Sequence, residues 1–360
     1  FIRANLAGLP FRIQAWFGDE RPLVRPLRCL YGSAILLSKL LTRLRLLRLA
    51  GLPAAWVAWL LIRLDPPDVV LAEFGFEAVR VMEACRWSGV PLVVHFRGSD
   101  ASARNRIGLL EERYRRLLRL AGGVIVKSER MALRLEELGA ERQRIQISPS
   151  GANPALFHGS QPCQSPPLLL AVGRFVAKKG PLLTLRAFQL CLQRADVSPL
   201  PQLWMVGEGP LLAEARRFVV QHQLQNNVVF AGVCSQEQVA ERMRQVRAFV
   251  QHSIVAPDGD SEGSPVAVME AQLSGLPVIA TRHAGIPDVV VDGATGLLVE
   301  EGDVDAMAQA MLTLLAEPML AQKLGEAGQR RALQHFTVEH HLRDVTELLL
   351  RVSSAARALS

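Results

Sequence analysis

Short apolar runs alternate with helical patterns along most of the chain. "DVVLAEF" (68–74), "PLVVHF" (91–96), "GVIVKS" (123–128) and "RIQISPSG" (144–151) read as four strands. Helical stretches separate them, among them "YRRLLRLA" and "MALRLEELG", the second stopped by Gly139. "HGSQPCQSPP" (158–167) has no periodicity and is rich in turn formers, so it reads as a linker. The alternation then restarts with "LLLAVG" (168–173), "QLWMVGEG" (202–209), "NVVFAG" (227–232), "AFVQHS" (248–253), "PVIAT" (277–281) and "GLLV" (296–299). Pro181 opens one helix at its first position, and Asp303 caps another whose Ala306, Met307, Ala310, Met311 and Leu314 share a face. A last helix over roughly 340–352 follows "HFT". Continuous Val/Ile/Leu strands between helices predict parallel sheets covered on both faces. The expectation is an α/β protein of two doubly wound units. Residues 1–158 form the first domain, 159–336 the second, and 337–360 a helix crossing back to the first. Ligands of such folds lie beyond the carboxyl ends of the strands, here in the cleft between the units.

Composition agrees with this picture. A chain of 360 residues is too long for one ordinary core, and 49% hydrophobic with 21% charged residues excludes a disordered chain. The net charge of +7 is uneven: residues 1–158 hold 24 Lys and Arg against 14 Asp and Glu, the remainder 17 against 20. A basic first half suits membrane phosphates, an anionic glycan or nucleic acid, or is simply solvated surface. The five cysteines (Cys29, Cys85, Cys163, Cys191, Cys234) are scattered, odd in number and without metal-ligand spacing, which fits a reduced, cytoplasmic compartment. The longest apolar run, 49–62, contains Pro53 and falls short of the roughly 20 residues of a membrane span. "FIRANLAGL" reads as the start of a helix, so the strand and loop that should precede it are expected to be missing. Leu37, Leu40, Leu41, Leu44 and Leu47 share a helical face opposite Lys39 and Arg43, and "LAGLPAAWVAWLLI" follows. Core packing is the expected use of that stripe; contact with a membrane surface is the alternative.

The chemistry concentrates in "EGSPVAVME" (262–270). Ser264 suits an N-cap and Pro265 a first helical position, with the helix ending near Gly275. The unpaired N–H groups at such a helix start make a ready phosphate site. Glu262 before it and Glu270 in its second turn would then grip neutral hydroxyls on either side of the anion.

Residues 256–299, "APDGDSEGSPVAVMEAQLSGLPVIATRHAGIPDVVVDGATGLLV", resemble the donor-binding half of the retaining glycosyltransferases of family 4, with Glu262 and Glu270 at the E-x7-E element. "VGRFVAKKG" (172–180), "GEGP" (207–210), "GVIVKSERM" and "ISPSGANPALF" extend the likeness over nearly the whole chain, which is similar to the glycosyltransferases of exopolysaccharide and colanic acid assembly. The resemblance implies a GT-B fold, two Rossmann-like domains facing across a cleft. It implies transfer of a sugar from a nucleotide diphosphate sugar to a glycan or lipid-linked acceptor hydroxyl, with retention. Glu262 would touch the donor sugar and Glu270 the ribose. Arg174 and Lys179, beside Gly173, would hold the diphosphate with the backbone of Gly263, Ser264, Pro265 and Val266, and Val233 would lie near the base. Arg97 stands where the family usually has His, two residues after His95, and would face the acceptor or the leaving phosphate. Asp100 would cap the next helix or touch substrate, His283 and Gly285 would approach the donor sugar, and Asp288 replaces a usual Glu. No cofactor, no metal and no nucleic acid are expected. The place implied is the cytoplasm, at the inner face of the plasma membrane through the basic first domain. The alternatives are a catalytically silent glycan- or nucleic-acid-binding protein of this fold, which would not need the intact donor set, and a nucleotide-sugar epimerase.

Overall fold

A computed structural model of the chain describes residues 24–44, 51–102 and 104–359. Two all-parallel sheets form the framework. The first runs in spatial order β1 (Val70–Glu73), β2 (Leu92–His95), β3 (Gly123–Val126), β4 (Ile145–Ile147). The second contains β5 (Leu168–Val172), β6 (Gln202–Val206), β7 (Val228–Gly232), β8 (Ala248–Gln251), β9 (Val278–Thr281) and β10 (Gly296–Val299), in the order 10-9-8-5-6-7. The apolar runs become strands because helices cover both faces. In the first sheet Val94 and Val126 face a core with Met82 and Leu117, while Val93 and Ile125 face the last helix.

That last helix, Val338–Leu359, starts earlier and ends later than its sequence pattern suggests. It leaves the second domain and lays Val345, Leu348, Leu349 and Val352 on the first sheet, each side chain contributing roughly 1.5–3 kcal/mol. Gly123 permits the approach, since a Cβ there would meet Leu348 at 3.1 Å. The chain first crosses between domains at Ser148–Ala152 and returns at Phe336–Val338. The two crossings lie side by side: the Ala152 N–H donates to the Phe336 carbonyl and the Val338 N–H to the Ala152 carbonyl, both at 2.9 Å. Gly151 has φ +69°, and a side chain there would overlap the Thr337 backbone.

Two expectations need correction. The aperiodic segment 158–167 does not connect the domains. Ala152 and Phe157 already belong to the second core, and Ser160 is pinned to it, its N–H donating to Ser274 at 2.8 Å and its hydroxyl to Met243 at 2.9 Å. Its lack of period reflects side chain-to-backbone bonding, which leaves no repeating pattern. The leucine stripe is not core either. Helix Val24–Arg43 buries Tyr31, Ala34 and Ser38, whereas Leu37, Leu40 and Leu44 face outward and Leu41 is half-buried. Leu47 and "FIRANLAGL" lie outside the described residues.

Candidate functional site

The second sheet reverses its winding at β5, which pairs with β6 on one side and β8 on the other. The loops leaving β5 and β8 therefore diverge and open a crevice at their carboxyl ends. The first loop carries Gly173, Arg174 and Lys179, ending at Gly180, a left-handed residue whose Cβ would overlap the His252 carbonyl. Only glycine fits there, and Pro181 then starts helix Pro181–Arg194. The "GEGP" loop braces it: the Phe175 N–H donates to the Glu208 carbonyl at 2.8 Å.

Lys179 Nζ lies 3.1 Å from Glu262 Oε1 and 3.3 Å from Gln251 Oε1. Glu262 is buried, and its Oε1 has this ion pair but no well-aligned hydrogen bond. The Glu262 N–H donates to His283 Nε2 at 3.1 Å, and His283 Nδ1 sits 2.6 Å from Glu301. That orders the tautomer: Nδ1 carries the proton. Glu270 is buried in helix Val266–Ser274, and among the described residues none hydrogen-bonds to its carboxylate. Burial pushes its pKa up to about 7 against the pull of Lys179. Arg174 is exposed and its guanidinium has no partner among the described residues. Together these groups offer two cations and a helix start for an anion, with a carboxylate on each side.

Lys179 and Glu262 meet ahead of helix Val266–Ser274, with one departure in the helix itself. Helix Val266–Ser274 starts one residue later than expected. Pro265 stands at the cap with no side-chain bond, while Ser264 Oγ accepts from the Ser150 N–H of the first domain at 3.4 Å. Val233 is 69% exposed beyond β7, two strands from the switch point.

The first domain closes directly over this turn. A Cβ on Gly263 would lie 3.0 Å from the Arg97 carbonyl and 3.4 Å from Lys127 Cβ; one on Gly285 would lie 2.9 Å from Ser128 Cβ and overlap the Gly263 carbonyl. Asp288 Oδ2 accepts from the Glu129 N–H at 3.0 Å, where helix Glu129–Glu137 begins. So Asp288, of uncertain meaning in sequence, ties the domains together, favoured by the positive end of that helix. Arg97 donates to Glu73 at 2.9 Å and lies across from the Glu262 turn. His95 is buried, its Nδ1 3.2 Å from Glu73. Asp100 is fully buried and accepts from the Gly75, Arg97 and Gly98 N–H groups, so it shapes the loop. Burial would raise the Glu73 pKa, but His95 and Arg97 overcome it and hold it at about 2.

Sequence reasoning missed Lys178, paired with Asp260 at 3.1 Å, and also Gln251, Glu301, Glu73, Lys127 and His341. "AKKG" held the signal for Lys178; the others become visible only through packing. Among the described residues no group of three His, Cys, Asp or Glu is disposed to hold a metal ion.

Comparison with known proteins follows the same division. Residues 156–331 match the family described as Glycosyl transferases group 1, and residues 8–151 the Glycosyl transferase 4-like domain. A colanic acid biosynthesis glycosyltransferase of Escherichia coli (strain K12) is 32% identical over 250 residues, 68% of this chain and 60% of that protein. An amylovoran biosynthesis glycosyltransferase of Erwinia amylovora is 27% identical over 291 residues, 79% of this chain and 70% of its own. Anabaena HepE, solved in complex with UDP, superposes with a TM-score of 0.71 at 19% identity, covering 84% of each chain. That likeness shows the fold: GT-B, with two Rossmann-like domains. The aligned part of this chain spans 60% of the colanic acid relative's length.

Proposed function

The chain belongs to the group 1 glycosyltransferases, and from that premise we propose that it is a retaining enzyme moving a sugar from a nucleotide diphosphate sugar to a hydroxyl of a glycan or lipid-linked acceptor. The assembly it serves is a polysaccharide or glycolipid, the use named for its relatives. The observation that carries this reading is the meeting of Lys179, Glu262 and the start of helix Val266–Ser274 at the switch point. The diphosphate lies against Lys179, Arg174 and the backbone N–H groups of Gly263, Ser264 and Val266; Glu262 holds the sugar and Glu270 the ribose. The C1–O bond to the diphosphate breaks and a C1–O bond to the acceptor forms on the same face. The acceptor proton passes to a leaving phosphate oxygen. Lys179 and Arg174 stabilise the charge developing on the leaving group, with no obligatory metal in the scheme.

The test is a panel of nucleoside diphosphates against the full chain, followed by product analysis with the matching donor. One nucleotide at about 100 times its Kd should add roughly 2.7 kcal/mol and raise Tm by a few degrees. NMR of the product should show the donor's anomeric configuration. A panel with no shift, or an inverted product, overturns the reading.

A specific observation supports a membrane-facing first domain. Leu36 (66% exposed), Leu37, Leu40 and Leu44 project from one helix beside Lys39 and Arg43. Trp56 (58%) and Leu64 (69%) project from helix Leu52–Leu64, where Arg63 lies over the Trp59 ring at 5.7 Å. Apolar side chains rimmed by cations suit an anionic bilayer surface, and no helix of the described residues is long and apolar enough to cross one. The protein should float with vesicles containing phosphatidylglycerol, less so at high salt, and the pair Leu36→Asp with Leu40→Asp should abolish flotation. Equal recovery of both proteins would sink the proposal.

A further inference from the structure

The strand ends of the first sheet gather charged and titratable side chains. Glu73 ends β1 and His95 ends β2; Arg97 comes two residues later. Lys127 follows β3, Ser148 follows β4, and His341 and Asp344 come from the last helix. The charge is poorly matched. Glu73 is engaged by Arg97 at 2.9 Å and by His95 Nδ1 at 3.2 Å. The Asp344 pKa is raised by burial, which Ser148 partly offsets. Lys127 is 2% exposed, yet no carboxylate of the described residues lies within ion-pair distance of it. An ammonium has three donors. The Ser148 carbonyl at 3.4 Å and His341 Nε2 at 3.5 Å take two, both at long range, and the third has no partner among the described residues. His95 Nε2, also buried, is unpartnered.

A buried cation without a counter-ion costs several kcal/mol, so its retention points to a use. Its position suggests which. The stem of Lys127 lies against Gly263, and the Arg97 carbonyl meets the same glycine, directly across from the turn that carries Glu262. The cluster therefore occupies the carboxyl edge of the acceptor half, facing the donor half.

We propose that the first-domain half of the cleft binds an anionic group of the acceptor, a sugar carboxylate or a phosphate, on Lys127 and Arg97, with His95 Nε2 as a third donor. The proposal rests on the glycosyltransferase reading above and names the acceptor's chemical class. The anion enters while the domains are apart and is sealed when Gly263 closes over Lys127. It supplies a counter-charge that no carboxylate of the described residues gives Lys127 at ion-pair distance, and orients the acceptor hydroxyl toward the donor turn.

Protonation is linked to this binding. Burial, with Arg97 adding to it and Glu73 opposing it, brings Lys127 down to about 7. Burial also lowers His95, which Glu73 partly offsets. His341 is held neutral, at about 3, by burial and by the Lys127 charge. An anion favours the protonated forms of Lys127 and His95. Affinity is therefore highest below pH 7 and falls as pH rises beyond it.

The experiment is calorimetric titration of the full chain with glucuronate, inorganic phosphate and glucose at pH 6 and pH 8. The donor half is first saturated with the nucleoside diphosphate that stabilises the protein, so that phosphate cannot report on Lys179. Glucuronate binding without glucose binding supports a sugar acid; phosphate binding without glucuronate supports a phosphate-bearing acceptor. In either case affinity should drop about tenfold between the two pH values. Lys127→Met should lose anion binding while holding or raising Tm, because it removes an uncompensated buried charge. Arg97→Gln should weaken the binding independently. Saturation by the nucleotide with no anion binding at either pH overturns the proposal and leaves the donor reading intact. A fall in Tm for Lys127→Met, with anion affinity unchanged in Arg97→Gln, also overturns it. Failure of every nucleotide to bind overturns the donor reading, and the proposal with it.

Discussion

Replacing Lys179 by Ala should cost about 100- to 1,000-fold in kcat/KM, the loss seen when a group aimed at transition-state charge is removed. Lys179 is the only lysine or arginine among the described residues that touches Glu262, and its stem is held 3.3 Å from where a Gly173 Cβ would stand. It therefore points into the crevice with little freedom. A second effect accompanies the first: Glu262 is buried and would lose its counter-charge, which destabilises the fold. The double variant Lys179→Met with Glu262→Gln, read against Glu262→Gln alone, separates the two. It should recover Tm yet have a lower kcat/KM than Glu262→Gln alone, because neutralising both groups removes the unpaired buried charge but not the need for the diphosphate's partner. Arg174→Ala should cost less, since Arg174 is exposed and screened by solvent. Steady-state kinetics with the donor found by nucleotide panel checks this; a Lys179→Ala enzyme with unchanged kcat/KM would remove Lys179 from the mechanism.

The contrast between the two halves of the cleft explains how much could be read in advance. The strands were legible because each is a short unbroken apolar run, and a parallel sheet demands that. The donor half was legible because its chemistry sits in two continuous stretches, 173–180 and 262–270, each with its own glycine and helix-start signals. The acceptor half was not. Glu73, His95, Arg97, Lys127, Ser148 and His341 come from five elements spread over most of the chain. Nothing local distinguishes Lys127 in "VIVKS" from a solvated lysine; its burial depends on a helix more than 200 residues later. Only the pairing of strands and the return of the last helix bring them together. The cap of helix Val266–Ser274 failed for a related reason. Ser264 has the right chemistry for its own helix, but domain closure offers its hydroxyl the Ser150 N–H instead.

Glu270→Gln should raise stability and weaken nucleotide binding at once. The Glu270 pKa is raised by burial from the usual 4.5 to about 7, against the pull of Lys179. Below pH 4.5 the carboxyl is protonated whether folded or not and contributes nothing. As pH rises from 4.5 to 7 the unfolded chain ionises first, so the group destabilises the fold progressively, by up to about 3 kcal/mol above pH 7. Gln keeps the shape and removes that cost. Tm should therefore rise at pH 8 and stay the same at pH 4, as thermal unfolding at the two values would show. Ribose hydroxyls donating to the carboxylate favour its charged form and draw the pKa back down. Nucleotide affinity of the wild type should accordingly increase between pH 5 and pH 7, with release of a proton, while that of Glu270→Gln should be flat and about tenfold lower at pH 8. Calorimetry in buffers of different ionisation enthalpy measures both quantities. A variant more stable at pH 8 that binds nucleotide as tightly as the wild type would mean that Glu270 is buried for packing alone, and the ribose would have to be held elsewhere in the crevice.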